Sequence, residues 1–465
     1  MNLQDDLLPA VAGFFGCTLF TLWWTFRSSN PSVGLFLGYW LHFLQNYGAA
    51  GIIHALPWVD SRVAEETAVG FPEAVFSLVL FCFGAAASHL LMKRRQPPVE
   101  VSTSGWAGSW ATPRQIFFMG ILMGYIFGPL ISRIPSGGAV SSTLASLTAA
   151  AWGILAYRAV VKREYAKVAL LMAGLVFFPL STMIQSGFIG FGVNSVILVV
   201  SLMAVYFRPR MGVLAAGLLV LFLGLSIYIT YMRDRNEIRH AVWGGESIKV
   251  RATVLVNTFS NMEWLDLRSE IQILYVDARM NQNVLVGVAI DRLQRGEVGY
   301  WHGKSILEAI LSVIPRLFWP NKPMTAGSGD LVSEVTGMTF TQGTSVGIGP
   351  ILEFYANFGH WGLGIASLLM GGFLGMCDIR AGACLRAGHT TRFAAWLLLA
   401  LPLHNVLGSL VSIFTSIATA GVLFFLFQRF WEPRRVVLSS GFQPVVGEAS
   451  QSMAAVEKST TPPLS

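Results

Sequence analysis

Arg235 and Arg239 stand four residues apart in "YMRDRNEIRHAVWGG", directly behind an apolar block. At that spacing two side chains share one helix face. A guanidinium fork binds phosphate bidentately, which a lysine point charge does not. The chemistry available to such a pair is to hold a phosphate at a membrane surface. The alternative is a solvated helix end, with Arg233 and Glu237 as an i, i+4 ion pair. A second cationic stretch is "GKSILEAILSVIPRLFWPNKP", residues 303–323. Pro315, Pro320 and Pro323 stiffen it, and Arg316 and Lys322 project from it on either side of Trp319. Its alternative is an interfacial amphipathic helix with snorkelling cations.

Carboxylates follow. "TAGSGDLVSEVTGMTFTQGTSVGIGPILEFYANFG" carries Asp330, Glu334 and Glu353 among glycines that permit close backbone approach. Glu353 enters an apolar stretch, where a lone carboxylate costs free energy unless satisfied. It suits a general base, or a structural carboxylate bonded at a helix start. His404 and Asn405 of "LPLHNVLGS" could line the same cavity or pair between helices, and Glu73 is open between the same two roles.

No GxxxxGK[ST], HExxH or DxD occurs, so these signatures of soluble enzymes are absent. The eight histidines include no i, i+4 pair and the four cysteines no CxxC, so neither a metal centre nor a disulfide framework is expected. No cofactor is indicated. The net charge of +7 does not imply nucleic acid, because in a membrane protein it marks cytoplasmic loops.

The elements that must position these residues are apolar blocks. The chain is 54% hydrophobic and 12% charged, against about a quarter charged in soluble domains. Long apolar runs with few charges read as membrane spans. Eleven are expected: 8–26, 33–57, 71–92, 115–134, 140–160, 168–188, 193–207, 211–231, 358–377, 393–409 and 411–428. The acidic opening "MNLQDDLLPAVAGFFGC" is unlike a cleaved signal peptide. One set of short loops carries seventeen Lys and Arg, the other only Arg62 and Arg133. The positive-inside rule makes the first set cytoplasmic, with the N-terminus outside and the C-terminus inside.

The expected fold is therefore all-α, a polytopic bundle with one large outer loop. Residues 1–231 form an N-terminal bundle, 232–357 the loop with its active-site elements, 358–430 a C-terminal bundle, and 431–465 a Ser/Thr/Pro-rich cytoplasmic tail of disordered composition. The hydrophilic insert, 232–346, has twelve basic and twelve acidic residues. "NVLVGVAIDRLQRG" and "SILEAILSVI" are its helices, stopped by Gly296 and Pro315. Gly371 and Gly375 form a GxxxG that permits close helix packing.

"IPRLFWPNKP", "GTSVGIG" and "EFYANFGHWG", in that order, resemble the end of the outer loop in Wzy-type O-antigen polymerases, the oligosaccharide repeat-unit polymerases. The resemblance covers about residues 303–362. It implies a GT-C-like bundle in the bacterial inner membrane that needs neither metal nor nucleotide sugar. The implied reaction joins undecaprenyl-diphosphate-linked repeat units at the periplasmic face, for O-antigen, capsule or exopolysaccharide. The implied partners are the lipid-linked donor and acceptor, membrane lipids and a chain-length regulator. Arg316 matches the family's Pro-Arg position, and Arg235, Arg239, Arg279 and Lys322 would join it on the diphosphate. Glu353 matches an acidic position and would be the base, with Asp330 as rival and Tyr355 and Asn357 positioning sugar. An O-antigen ligase shares this architecture and chemistry. A transporter would show internal repeats and a midplane site, and no repeat is visible.

Overall fold

The computed structural model describes residues 3–27, 32–59, 62–93, 118, 120–127, 130, 137–205, 211–314, 319, 327–340, 346–387 and 389–431. The expected calls on Arg316, Lys322, Pro315, Pro320, Pro323 and the tail beyond 431 lie outside these residues. The chain divides into one large unit, Met1–Phe425, and a second, Leu426–Ser465; the fold below is that of the first.

Every regular element among the described residues is helical. The bundle begins with α1 (Leu3–Phe26), α2 (Leu35–Phe43), α3 (Ala49–His54) and α4 (Ala64–Lys93). After it come α5 (Gly137–Val161), α6 (Tyr165–Ala173), α7 (Phe177–Ser186), α8 (Gly190–Ala204) and α9 (Met211–Trp243). The polar insert folds as α10 (Ile248–Ser260), α11 (Glu270–Met280), α12 (Asn283–Gln294), α13 (Lys304–Ser312) and α14 (Ser328–Thr336). The chain then returns as α15 (Gly349–Arg386), α16 (Thr390–Ala400) and α17 (Leu410–Trp431). Among the described residues, four helices are long and apolar enough to cross a membrane: Leu7–Phe26, Ala64–Met92, Tyr165–Gln185 and Gly349–Arg386. Shorter apolar helices cover Ser146–Val161, Gly192–Ala204 and Leu410–Phe425.

The centre of the bundle is the pair α4 and α15. Glu73 meets His360, Ser77 bonds Ser367 at 2.7 Å, and Gly375 rests on Ala85, so both helices advance in the same direction. Glycine allows this approach. A Cβ on Gly84 would stand 1.9 Å from the Leu368 carbonyl oxygen, and one on Gly371 would stand 2.0 Å from that of Phe81. The GxxxG face of α15 is thus a backbone-to-backbone contact, as small residues permit in a membrane. α12 crosses the start of α4 in the same manner, Gly287 against the Glu66 carbonyl and Gly70 against that of Asn283.

The opposite end of α15 carries a buried carboxylate. Asp378 accepts from Trp24 Nε1 (3.2 Å), Ser32 Oγ (2.6 Å), Val33 N (3.0 Å) and Leu35 N (3.1 Å). Both oxygens are used, and they supply the start of α2 with the acceptor that its own N-cap, Gly34, lacks.

Two irregularities position the polar helices. Between α2 and α3 the chain makes a π-turn, Leu44–Gly48. The Asn46 carbonyl accepts from Gln282 N (2.8 Å) and that of Tyr47 from Asn283 Nδ2 (2.9 Å), which docks the α11–α12 junction on the bundle. α15 is broken at Gly359, whose φ of 67° and ψ of −160° suit glycine alone. The break removes the helical partners of the Ala356 and Asn357 carbonyls. Trp301 N and His302 N replace them at 2.9 and 3.2 Å, tying the α12–α13 connection to α15.

Candidate functional site

The insert begins as a direct continuation of α9 beyond its apolar part, 211–231, and its arginines differ sharply in environment. Arg233 is neutralised. It bonds both oxygens of Asp234 (2.7 and 2.9 Å) and reaches Glu263 at 3.0 Å. The expected pairing with Glu237 is not what forms, because Asp234 and the loop carboxylate Glu263 take the guanidinium first. The Asp234 bond, then Glu263, hold Arg233 above its usual range, and Arg233 holds Asp234 below the usual carboxylate range.

Arg235, Arg239 and Arg279 are the opposite case. Burial, then Arg279, then Arg239 hold Arg235 below its usual value. Burial, followed by Arg279, does the same to Arg239, against a partial offset from Tyr231. Three guanidinium groups from α9 and α11 therefore share one field, and no carboxylate pairs with any of them among the described residues. Arg239 lies 4.5 Å over the Phe188 ring and 5.2 Å from that of Trp243, which fixes the group in space, and its Nε is buried without a hydrogen bond. Tyr231 bonds the Gly187 carbonyl at 2.9 Å and keeps the α7–α8 turn against this face. Such a cluster can hold an anion.

The cluster sits near the start of α4. Arg279 is two residues from Asn281, whose Nδ2 bonds Thr67 Oγ1 on α4 at 2.8 Å. Asp277 on the same helix holds His54 at 2.8 Å. Glu73 lies six residues beyond Thr67, a rise of about 9 Å. There both its oxygens are 2.9 Å from His360 Nδ1, immediately after the break in α15. Sequence reasoning counted His360 only among the eight histidines and missed this pair. The available signal was a carboxylate and an imidazole, each at the polar end of an apolar block.

The expected carboxylates fall elsewhere. Glu353 is completely buried. One oxygen accepts from Leu410 N at 2.8 Å, the first residue of α17; the other has no hydrogen bond. This is the helix-start role, served on a neighbouring helix. Asp330 caps its own helix, accepting from Gly327 N at 3.1 Å. Asn357 is spent internally, donating to Ser305 Oγ and the Glu353 carbonyl and accepting from Gly303 N. Tyr355 is buried, with its hydroxyl 3.4 Å from Gln294 Nε2. His404 is buried against α2, its ring 5.7 Å from that of His42, and no hydrogen bond links it to Glu353 among the described residues. Among the described residues a cavity of about 110 Å3, lined by Thr143, Ser146, Leu398, Leu401, Pro402 and Ser416, includes none of these groups. It is well below the several hundred Å3 of ordinary ligand pockets.

The burial of Glu353 yields an expected outcome. Glu353→Gln keeps an acceptor for Leu410 N–H and retains thermal stability. Glu353→Ala strands that N–H and lowers stability by roughly 1–3 kcal/mol. Thermal unfolding in detergent checks both.

Residues 85–377 match the model of a family described as a domain of unknown function, DUF8712. The chain belongs to this family. The matched segment contains the three arginines, Glu353 and His360, whereas Glu73 and Asp378 lie just outside it. No curated protein and no solved structure matches the chain.

Proposed function

We propose that this protein is a metal-independent polysaccharide polymerase. It joins undecaprenyl-diphosphate-linked oligosaccharide repeat units at the outer face of a bacterial inner membrane. The bundle is read as GT-C-like with eleven spans, the N-terminus periplasmic and the C-terminus cytoplasmic. The parallel packing of α1, α4 and α15 agrees with this, since spans one, three and nine must share a direction.

The observation that carries the reading is the uncompensated cluster Arg235, Arg239 and Arg279 at the polar end of α9. In the eleven-span reading this is the outer end of span eight, where lipid phosphates meet the chain. A diphosphate leaving group gains negative charge as its bond to the sugar breaks, and preorganised guanidinium groups stabilise that charge where water is sparse. Arg316 and Lys322 join the diphosphate site through the family resemblance alone. An acceptor hydroxyl attacks the anomeric carbon, and Tyr355, beside Gln294, is read as positioning the sugar.

Deleting the gene is expected to collapse the ladder of surface and lipid-linked glycans to a single-repeat band, and wild type restores it. Full-length polymer accumulating on the lipid carrier would instead identify a ligase. An unchanged glycan profile would overturn glycosyl transfer altogether.

A further inference from the structure

Glu353 is enclosed, and the break in α15 presents a further proton acceptor. His360 is the first residue after Gly359. Its Nδ1 is held by both oxygens of Glu73, 287 residues away in sequence, at 2.9 Å. Its ring is stacked on Phe76 at 3.9 Å between centroids and meets Trp361 edge-on at 5.4 Å. The imidazole is thus fixed on three sides. Its side chain is nevertheless 40% exposed, against 21% for Glu73, and Nε2 has no hydrogen bond among the described residues. A carboxylate on Nδ1–H sets the tautomer that leaves a lone pair on Nε2, and it stabilises the imidazolium once a proton arrives.

We propose that His360 is the catalytic base of this site, with Glu73 as its positioning residue. The inference rests on the glycosyl-transfer reading above. The acceptor sugar's O–H bond breaks, and its proton passes to His360 Nε2. The oxygen's electron pair forms the bond to the anomeric carbon. The bond from that carbon to the lipid diphosphate breaks, its electron pair leaving on the diphosphate. The proton on His360 is then lost to water. No further reactant is required. The acceptor is a hydroxylated sugar whose apolar face can rest on the exposed rings beside the break, Phe358 and Trp361.

The test uses membranes containing the full chain, supplied with the lipid-linked oligosaccharide extracted from the deletion strain. His360→Gln is expected to lower elongation by about 10²- to 10⁴-fold, the usual contribution of a general base. Glu73→Gln is expected to lower kcat and leave KM in place, because the carboxylate steadies an imidazolium that forms only in the transition state. A merely structural pair would lower the melting temperature and leave the kcat of the folded protein unchanged. Thermal unfolding of each variant separates the cases, and if His360→Gln unfolds early, the kcat of Glu73→Gln decides. Wild-type elongation in His360→Gln, or an unchanged kcat in Glu73→Gln, overturns the assignment while leaving the polymerase reading standing. If the wild type itself does not elongate the extracted oligosaccharide, both readings fall.

Discussion

Arg235→Ala is expected to cut glycan elongation by about 10²- to 10³-fold, the loss seen when one preorganised donor to a developing anion is removed. Arg235 contributes charge at a point where Arg239 and Arg279 already make further positive charge unfavourable. Only a bound anion reverses that sign. Arg235→Lys keeps the charge but loses the fork, and should recover only part of the rate. The decisive comparison is Arg233→Ala, two residues away on the same helix. Its guanidinium is already matched by Asp234 and Glu263, so its removal should leave elongation near wild type. The measurement is the elongation rate in membranes, with the glycan ladder as a second readout. Equal losses in the two variants would mean that helix packing, not anion binding, is at stake. Wild-type chain length in Arg235→Ala would remove the cluster from the mechanism.

The largest effect on stability is expected from Gly84→Val and Gly371→Val. In each, the new Cβ would lie about 2 Å from a carbonyl oxygen of the facing helix, an atom that cannot rotate away. The helices must separate, and contacts along the whole seam weaken with them, including the Ser77–Ser367 bond and the Glu73–His360 pair. Overpacking typically costs 1–3 kcal/mol where side chains can yield, and here backbone opposes backbone. The melting temperature in detergent should fall by at least about 5 °C, taking roughly 2–4 °C per kcal/mol for a large domain. Gly16→Ala is the control, since nothing lies within 4 Å of its added Cβ, and it should leave the melting temperature in place. A Gly371→Val protein as stable as Gly16→Ala would contradict this seam.

Much of the architecture was legible in the residues themselves. Long apolar runs with few charges made the fold all-helical. Gly296 marked the end of α12. The i, i+4 spacing of Arg235 and Arg239 put them on one face, and Gly371 and Gly375 marked the close seam of α15. These features are local: a helix is specified by neighbours within a turn or two, and one sequence carries that information directly.

What only the tertiary structure decided is which distant groups meet. Arg279 comes to the arginine pair because Gln282 and Asn283 dock on the π-turn carbonyls. Arg233 is withdrawn from the cluster because Glu263 returns on a loop. Glu353, read as a candidate base, is enclosed because α17 begins beside it and needs an acceptor for its first N–H. His360 became a candidate because Gly359 breaks α15 where Glu73 faces it across the parallel pair. Each outcome depends on the angle and register at which helices cross. Those are set by close packing over hundreds of residues, and no short motif in one chain encodes them.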